Sequence, residues 1–438
     1  MRLTTWGRTR TAQVDASTPA DASAVAAVVR DGNHATMVAY GGGRCYGDSS
    51  LNNGGDALLT SGLARIGAFD PRTLVATFES GVTFTQLAQA FHPRGLSFAV
   101  SSATGAVTIG GAIANDIHSK NHHVAGSFGR NVEWIDLMLA SGDVCRVSRT
   151  VDEPLFRATL GGMGLTGVVL AAGVRLVAIP SRAAAVRYER IADVDAFLAR
   201  LDQAIDTQTP NFWFGWFDAL ARGASLGRGI LETGRYAAAD SAMAPLPKPF
   251  HFRADLPGVA MHPAIIARYN ARRLAKLPPS GVHATVALEK FFFPLDHLVG
   301  FNRVYGRRGF YSIHAGIPQG DHRAVRRLLE AVSHARAGAI AAVFKPMSGP
   351  GEGLMSFPLR GYACAIDMPR RSGVEALHAQ LERIVLDAGG RLYVAKDALM
   401  SARGFAQMFP RLDAFREVLA RVDPGRRFQS DMSRRLGI

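Results

Sequence analysis

Residues Gly162–Met163–Gly164–Leu165–Thr166–Gly167 spell GxGxxG, the spacing used by the phosphate loops of doubly wound folds. In such a fold a strand leads into the loop and a helix leaves it. Here the order is reversed: "EPLFRATLGG" reads as a helix entering the turn, and "GVVLAAGVRL" as a strand leaving it. A Rossmann-type unit is excluded. The loop is either a plain turn or the glycine-lined edge of some other ligand site.

At 438 residues the chain exceeds what one core fills, so two or three units are expected. Its 48% hydrophobic and 20% charged residues are those of a globular protein. The first part alternates short elements. "ASAVAAVVRDGN" reads as a helix, "TMVAYGGG" as a strand entering a glycine turn, and "TLVATFESG" as a strand. Phe84, Leu87, Ala88 and Phe91 mark one face of a short helix, and "VEWIDLMLASGDVCRVS" reads as a hairpin. The pattern changes near Ile179–Pro180. Beyond it come strand "RAAAVRYERI", helix "DVDAFLARLDQAI", and an irregular stretch from about Tyr236 to Pro263. Strands "GFYSIHAGIP", "AIAAVFKPM" and "RGYACAIDMP" then alternate with helices over Arg323–Ala337 and Val374–Ala388. This predicts an α+β unit with a mainly antiparallel sheet. "GGRLYVAKD" reads as a last strand, followed by helical "FAQMFPRLDAFREVLARV".

The net charge of +14 favours an anionic partner. The basic residues are dispersed and no nucleic-acid motif is present, so phosphate attraction is expected and nucleic acid is not. Cys45, Cys145 and Cys364 lie far apart without a CxxC pair, which argues against a disulfide scaffold or a structural metal. The N-terminus lacks the apolar core of a signal peptide, and no run reaches the roughly 18 apolar residues of a membrane span. A cytoplasmic protein is expected, with peripheral contact at the inner membrane face left open.

Two motifs carry chemistry. In "YGGGRCYGDSS" three glycines free backbone N–H groups to approach an anion, and Arg44 and Ser49 add charge and a hydroxyl. In "GGAIANDIHSKNHHVAGSFG", His118 and His122 have the i,i+4 spacing of metal ligands on a helix. No acidic partner of the HExxH kind accompanies them, and Lys120 would repel a cation, so no metal is expected. An anionic or redox ligand fits this run better, beside the plain alternative of satisfied structural histidines.

Together with "LFRATLGGMGLTGVV", "GGRLYVAKD" and "FQSDMSRRLGI", these runs resemble the flavin oxidases of the vanillyl-alcohol-oxidase type, from near Trp6 to the C-terminus. Within that group they look most like the decaprenylphosphoryl-β-D-ribose oxidase branch. The resemblance implies a two-domain α+β FAD-binding fold (PCMH type) with an antiparallel-sheet substrate domain. It places the FAD domain at 1–178 and 391–438, around a substrate domain at 179–390. It puts FAD against Gly41, Gly42 and Gly43, with Arg44, Cys45, Tyr46, Gly47 and Ser49 completing the loop. A second contact segment would run through Ala103, Thr104, Val107, Gly110 and Gly111 to Ala114, Asn115, His118 and Ser127. Gly164, Gly167 and Val168 would lie alongside. Tyr46 stands where many relatives carry a flavin-tethering histidine, so non-covalent FAD is implied.

Oxidising a secondary alcohol sends a hydride to the flavin and a proton to a base, and a nearby cation steadies the reduced ring. Lys396 matches the family's active-site lysine, with His118 as base or proton relay. Tyr46, Lys120, Trp216, His314, Lys345 and Lys396 would bind substrate. His314 departs from the glutamine of the nearest relatives. Cys364 falls one position before the cysteine that covalent inhibitors target in mycobacterial relatives, leaving Ala365 there. The implied reaction is oxidation of the 2′-hydroxyl of a polyprenyl-phosphoryl ribofuranose, with a short-chain-type reductase completing epimerisation to the arabinose donor for cell-wall or glycan synthesis. A sugar-alcohol or aldonolactone oxidase of the same fold is the alternative enzyme. A flavin-free basic protein that binds anions or membranes is the alternative outside enzymes.

Overall fold

Strand Val75–Glu79 shows how this chain builds a sheet: Ala76 and Phe78 are buried while the residues between them are partly exposed. It pairs antiparallel with Val168–Ala178, the long strand that follows the glycine turn. The computed structural model describes residues 1–208, 212–239, 241, 246, 248–279 and 281–438. Val168–Ala178 also pairs with Val132–Met138, and the hairpin to Val144–Ser148 completes that edge of a six-stranded antiparallel sheet. Helix Phe84–Phe91 packs beside this sheet, started by a capping box in which Thr83 and Gln86 bond each other's backbone. Phe84, Leu87, Ala88 and Phe91 face inward, and the helix stops before Pro93. A three-stranded parallel sheet of Asp15–Ser17, Asp56–Leu59 and Met37–Tyr40 completes the first lobe. Helix Ala22–Asp31, capped by Asp21, crosses between two of its strands.

Around GxGxxG the order is that expected: helix Glu153–Thr159 enters and strand Val168–Ala178 leaves. Gly167 has φ +149, and a Cβ there would lie 2.4 Å from the Met138 carbonyl oxygen, so only glycine fits.

The second lobe is one antiparallel sheet of eight strands. Phe310–Pro318, Arg360–Pro369, Ala342–Ser348 and Phe212–Phe217 run side by side across its centre. Phe344 meets Phe197 of helix Val194–Thr207 with ring centroids 5.6 Å apart, so this sheet face is the helix-covered one. Alternation turns Val343 and Lys345 to the opposite face. His314 pairs with Ala365, and Ala365 with Val343, so His314 shares that face. Cys364 pairs with Phe344 and is buried on the helix side, as strand alternation predicts. Within the irregular stretch Tyr236–Pro263, residues 240, 242–245 and 247 lie outside the described residues.

Two elements differ from expectation. "GGRLYVAKD" is a strand only at Arg391–Leu392, which pairs with Ala315–Gly316 at the edge of the large sheet. A single 3₁₀ turn over Val394–Lys396 follows, so the chain crosses back to the first lobe after Leu392 and carries Lys396 into the gap. The closing helix is two, Ala402–Met408 and Leu412–Val422, because Pro410 cannot continue the first. The C-terminal segment is tied to the first lobe. Met37 exchanges backbone hydrogen bonds with Arg427 and Gln429, and the Arg435 guanidinium bridges Asp48 and Asp397 at 2.8 and 3.1 Å. Among the described residues no helix is long and apolar enough to cross a membrane.

Candidate active site

The two lobes enclose a cavity of about 580 Å³. One wall is the glycine loop after strand Met37–Tyr40. A Cβ at Gly42 would lie 2.2 Å from the Ala106 carbonyl oxygen and one at Gly41 2.6 Å from Thr108 Oγ1, so the backbone of this loop packs directly on segment 103–108. Asp296 holds the second segment by accepting from Thr104 Oγ1 at 2.5 Å and from the Gly105 N–H at 2.8 Å. The backbone N–H groups of Gly41 through Cys45 find no acceptor among the described residues. Among the side chains beside these partly exposed amides, Arg44 Nε and the hydroxyls of Ser49 and Ser80 are buried without a partner. Buried donors are nearly always satisfied, so these side chains, with the free amides beside them, suit an acceptor-rich ligand. A dinucleotide pyrophosphate meets that need. Gly164 completes the wall at φ +77, with open space where a Cβ would stand.

Of the residues expected to hold FAD, Gly41, Gly42, Gly43, Arg44, Cys45, Tyr46 and Ser49 line the cavity. So do Ala103, Thr104, Val107, Gly110, Gly111, Ala114, Asn115 and His118, with Gly164 and Gly167. Three do not. Gly47 packs on the Asp397 carbonyl, where a Cβ would sit 1.4 Å from its oxygen. Ser127 is buried behind His118 in an isolated bridge, and Val168 belongs to the first lobe's apolar core.

At the far end the cavity is lined by His118, His314, Lys345, Tyr393 and Lys396, with Tyr46 beside them. The histidines come from different lobes and meet Nε2 to Nε2 at 3.2 Å. Burial, together with the nearby lysines, pushes both imidazoles well below their ordinary pKa, so the pair is neutral and shares one hydrogen. Tyr393 clasps the pair: its N–H donates to the His314 carbonyl at 2.9 Å and its hydroxyl to the Asn115 carbonyl at 3.1 Å. Burial and Lys396 bring the Lys345 ammonium down to about 7. Burial also lowers Lys396, against the pull of Asp367, and its ammonium lies 4.8 Å from the Tyr46 ring centre. Among the described residues neither lysine has a carboxylate within ion-pair distance.

Lys120 and Trp216, expected at the substrate, do not line the cavity. The Lys120 ammonium is 2.6 Å from Glu232, donates to the Phe291 carbonyl at 2.9 Å, and does not line the cavity. Its charge is matched by Glu232, and the pair joins the two lobes. Trp216 is buried, its indole N–H donating to the Ile340 carbonyl at 2.9 Å, with the Arg273 guanidinium 4.3 Å from the ring centre. It supports the sheet. Three residues were not anticipated: Asp296 at the first wall, Tyr393 at the histidine pair and Asp367 behind Lys396. Burial raises the Asp367 carboxyl to about 6, and it accepts from Tyr305 at 3.1 Å. A carboxylate in the apolar strand "GYACAIDMP" is the signal that could have found it.

Comparison with known proteins agrees with this geometry. A family profile described as FAD binding domain matches residues 16–148, and one described as D-arabinono-1,4-lactone oxidase matches residues 363–436. Decaprenylphosphoryl-β-D-ribose oxidase of Mycolicibacterium smegmatis is 34% identical over 99% of this chain and 97% of its own. An uncharacterised Streptomyces coelicolor protein from the mprA 5′ region is 32% identical over 82% of this chain and all of its own. L-gulono-1,4-lactone dehydrogenase of Mycobacterium tuberculosis is 22% identical over 91% of this chain and 89% of its own. With one relative matched from end to end and an FAD-binding profile on the lobe that carries the free amides, this chain belongs to the FAD-dependent oxidoreductase family of decaprenylphosphoryl-β-D-ribose oxidase.

Proposed function

We propose that the protein oxidises the 2′-hydroxyl of a polyprenyl-phosphoryl-β-D-ribofuranose to the 2′-ketone, the first half of inversion to an arabinose donor. The observation that carries this reading is the pair Lys345 and Lys396, two cavity-lining ammonium groups without a carboxylate partner. Unpaired enclosed cations call for an anionic ligand. FAD, when bound, supplies the acceptor for the hydride that leaves C2′. Gly41–Gly43 with the amides through Cys45, Arg44 and Ser49 hold its pyrophosphate, and Tyr46 at the tethering position leaves the attachment non-covalent. Lys345 takes the substrate phosphate. Lys396 stands where negative charge develops and stabilises it. His118 is neutral and can accept the hydroxyl proton, while His314 fixes which nitrogen carries the shared hydrogen.

The lactone-oxidase profile over residues 363–436 favours a second reading, oxidation of a free sugar lactone. Two unpaired cations suit a neutral lactone poorly, which ranks it second. Completing the inversion requires a reductase for the keto sugar, here taken to be of the short-chain type. A lipid-tailed substrate places the protein at the cytoplasmic membrane face. Turnover of a polyprenyl-phosphoryl ribose against L-gulono-1,4-lactone separates the readings. Reduction by the lipid-linked sugar alone supports the first, and reduction by the lactone alone overturns it.

A further inference from the structure

Seven of the twelve large apolar side chains exposed among the described residues fall between Leu246 and Val299, so their exposure is local, not the ordinary scatter of a protein surface. The topology puts two of them, Phe250 and Val299, at the mouth of the cavity. Strand Phe250–His251 pairs with Leu298–Val299, and Leu298, Val299 and Gly300 line the cavity. Phe250 and Val299, 59% and 43% exposed, therefore stand on its rim. Leu256 bonds Arg303 just before the turn Gly258–Met261, which holds out Val259, 65% exposed. Helix Pro263–Ala275 follows. It buries Ile266, Asn270 and Leu274 and exposes Ile265, Arg268, Tyr269 and Arg272. A helix with aromatic and aliphatic residues among arginines on its outer face has the character of an interfacial element.

Charge singles out the same surface. Residues 248–308 carry ten Lys and Arg against three Asp and Glu, an excess equal to half the chain's +14. The three acids are turned inward: Asp255 to Arg8, Glu289 to His92, and Asp296 to Thr104. Lys248, Arg253, Arg268, Arg272, Lys276, Arg307 and Arg308 are exposed, and none forms an ion pair among the described residues.

We propose that this face docks the protein on an anionic bilayer, its apolar residues entering the headgroup layer and its cations pairing with lipid phosphates. The cavity mouth then opens at the depth where the phosphate of a lipid-linked sugar lies, so the tail need not leave the membrane. This rests on the lipid-linked substrate proposed above.

The test is co-sedimentation of the FAD-loaded enzyme with vesicles of phosphatidylglycerol and phosphatidylcholine in equal parts, and with phosphatidylcholine alone. Binding to the first is expected, weakened by salt and much weaker on the second. The variant R268E/R272E/K276E should lose about a hundredfold in partitioning. F250S/V259S should lose binding as well, and both variants should keep the wild-type rate on a short-chain, water-soluble ribosyl phosphate. Equal binding by the charge-reversed variant overturns the proposal. So does a concentration-dependent dimer abolished by F250S/V259S, which would give the face to a second copy of the chain. If vesicles bind as expected but no ribosyl phosphate reduces the flavin, the substrate reading fails and the docking surface stands.

Discussion

A lysine stripped of most of its water gives up its proton more readily, and Lys345 sits where this matters at neutral pH. Its ammonium is present below about 7 and lost above it. kcat/KM for the phosphorylated substrate should therefore fall as pH rises through that value, and K345M should be slow without that fall. A flat wild-type profile from about pH 6 to 9 would remove Lys345 from phosphate binding. Lys396 answers to a different test: K396A should lose about 10²–10³ in flavin reduction rate while still binding FAD and unfolding near the wild-type temperature. At the histidine pair, a glutamine also reaches Nε2 of His118 as donor or acceptor. H314Q should stay within about tenfold of wild type and H314L should fall further, read in kcat at saturating substrate.

Among the elements, the paired glycine loops are the part a single substitution breaks most directly. Valine at Gly42 would drive a side chain into the Ala106 carbonyl, 2.2 Å from where its Cβ would stand. G42V should purify colourless and bind added FAD at least about tenfold more weakly, and a yellow variant would contradict the assignment. These loops were legible in the sequence because glycine runs and reversed element order are local signals. Lys396 and His118 were legible through the resemblance. The ion pair of Lys120 was not legible because its partner Glu232 is 112 residues away, and nothing local reports that the charge is already matched. The same holds for Trp216: alternation predicts its sheet face, but its bond to Ile340 depends on how its strand lies against the segment leading into Ala342–Ser348. The end of "GGRLYVAKD" was read as strand because turning there is imposed by the lobe it rejoins.

For the whole molecule, the cavity exists only while the lobes stay together, and Lys120 is one of the joints. Its carbonyl accepts from Trp213 at 2.7 Å while its ammonium meets Glu232, both on the second lobe's sheet. E232Q leaves a largely buried ammonium without its counter-ion and should cost about 3 kcal/mol in unfolding free energy. Unchanged stability would show that this pair does not join the lobes. FAD bound across the same gap should raise the melting temperature of wild type, as any ligand of the folded state does. The most direct measurement is anaerobic mixing of the FAD-loaded enzyme with a polyprenyl-phosphoryl ribose while its visible absorbance is followed. The account predicts bleaching by that substrate and none by the unphosphorylated sugar. Full bleaching by the unphosphorylated sugar or a lactone, with the phosphorylated lipid inert, would contradict it.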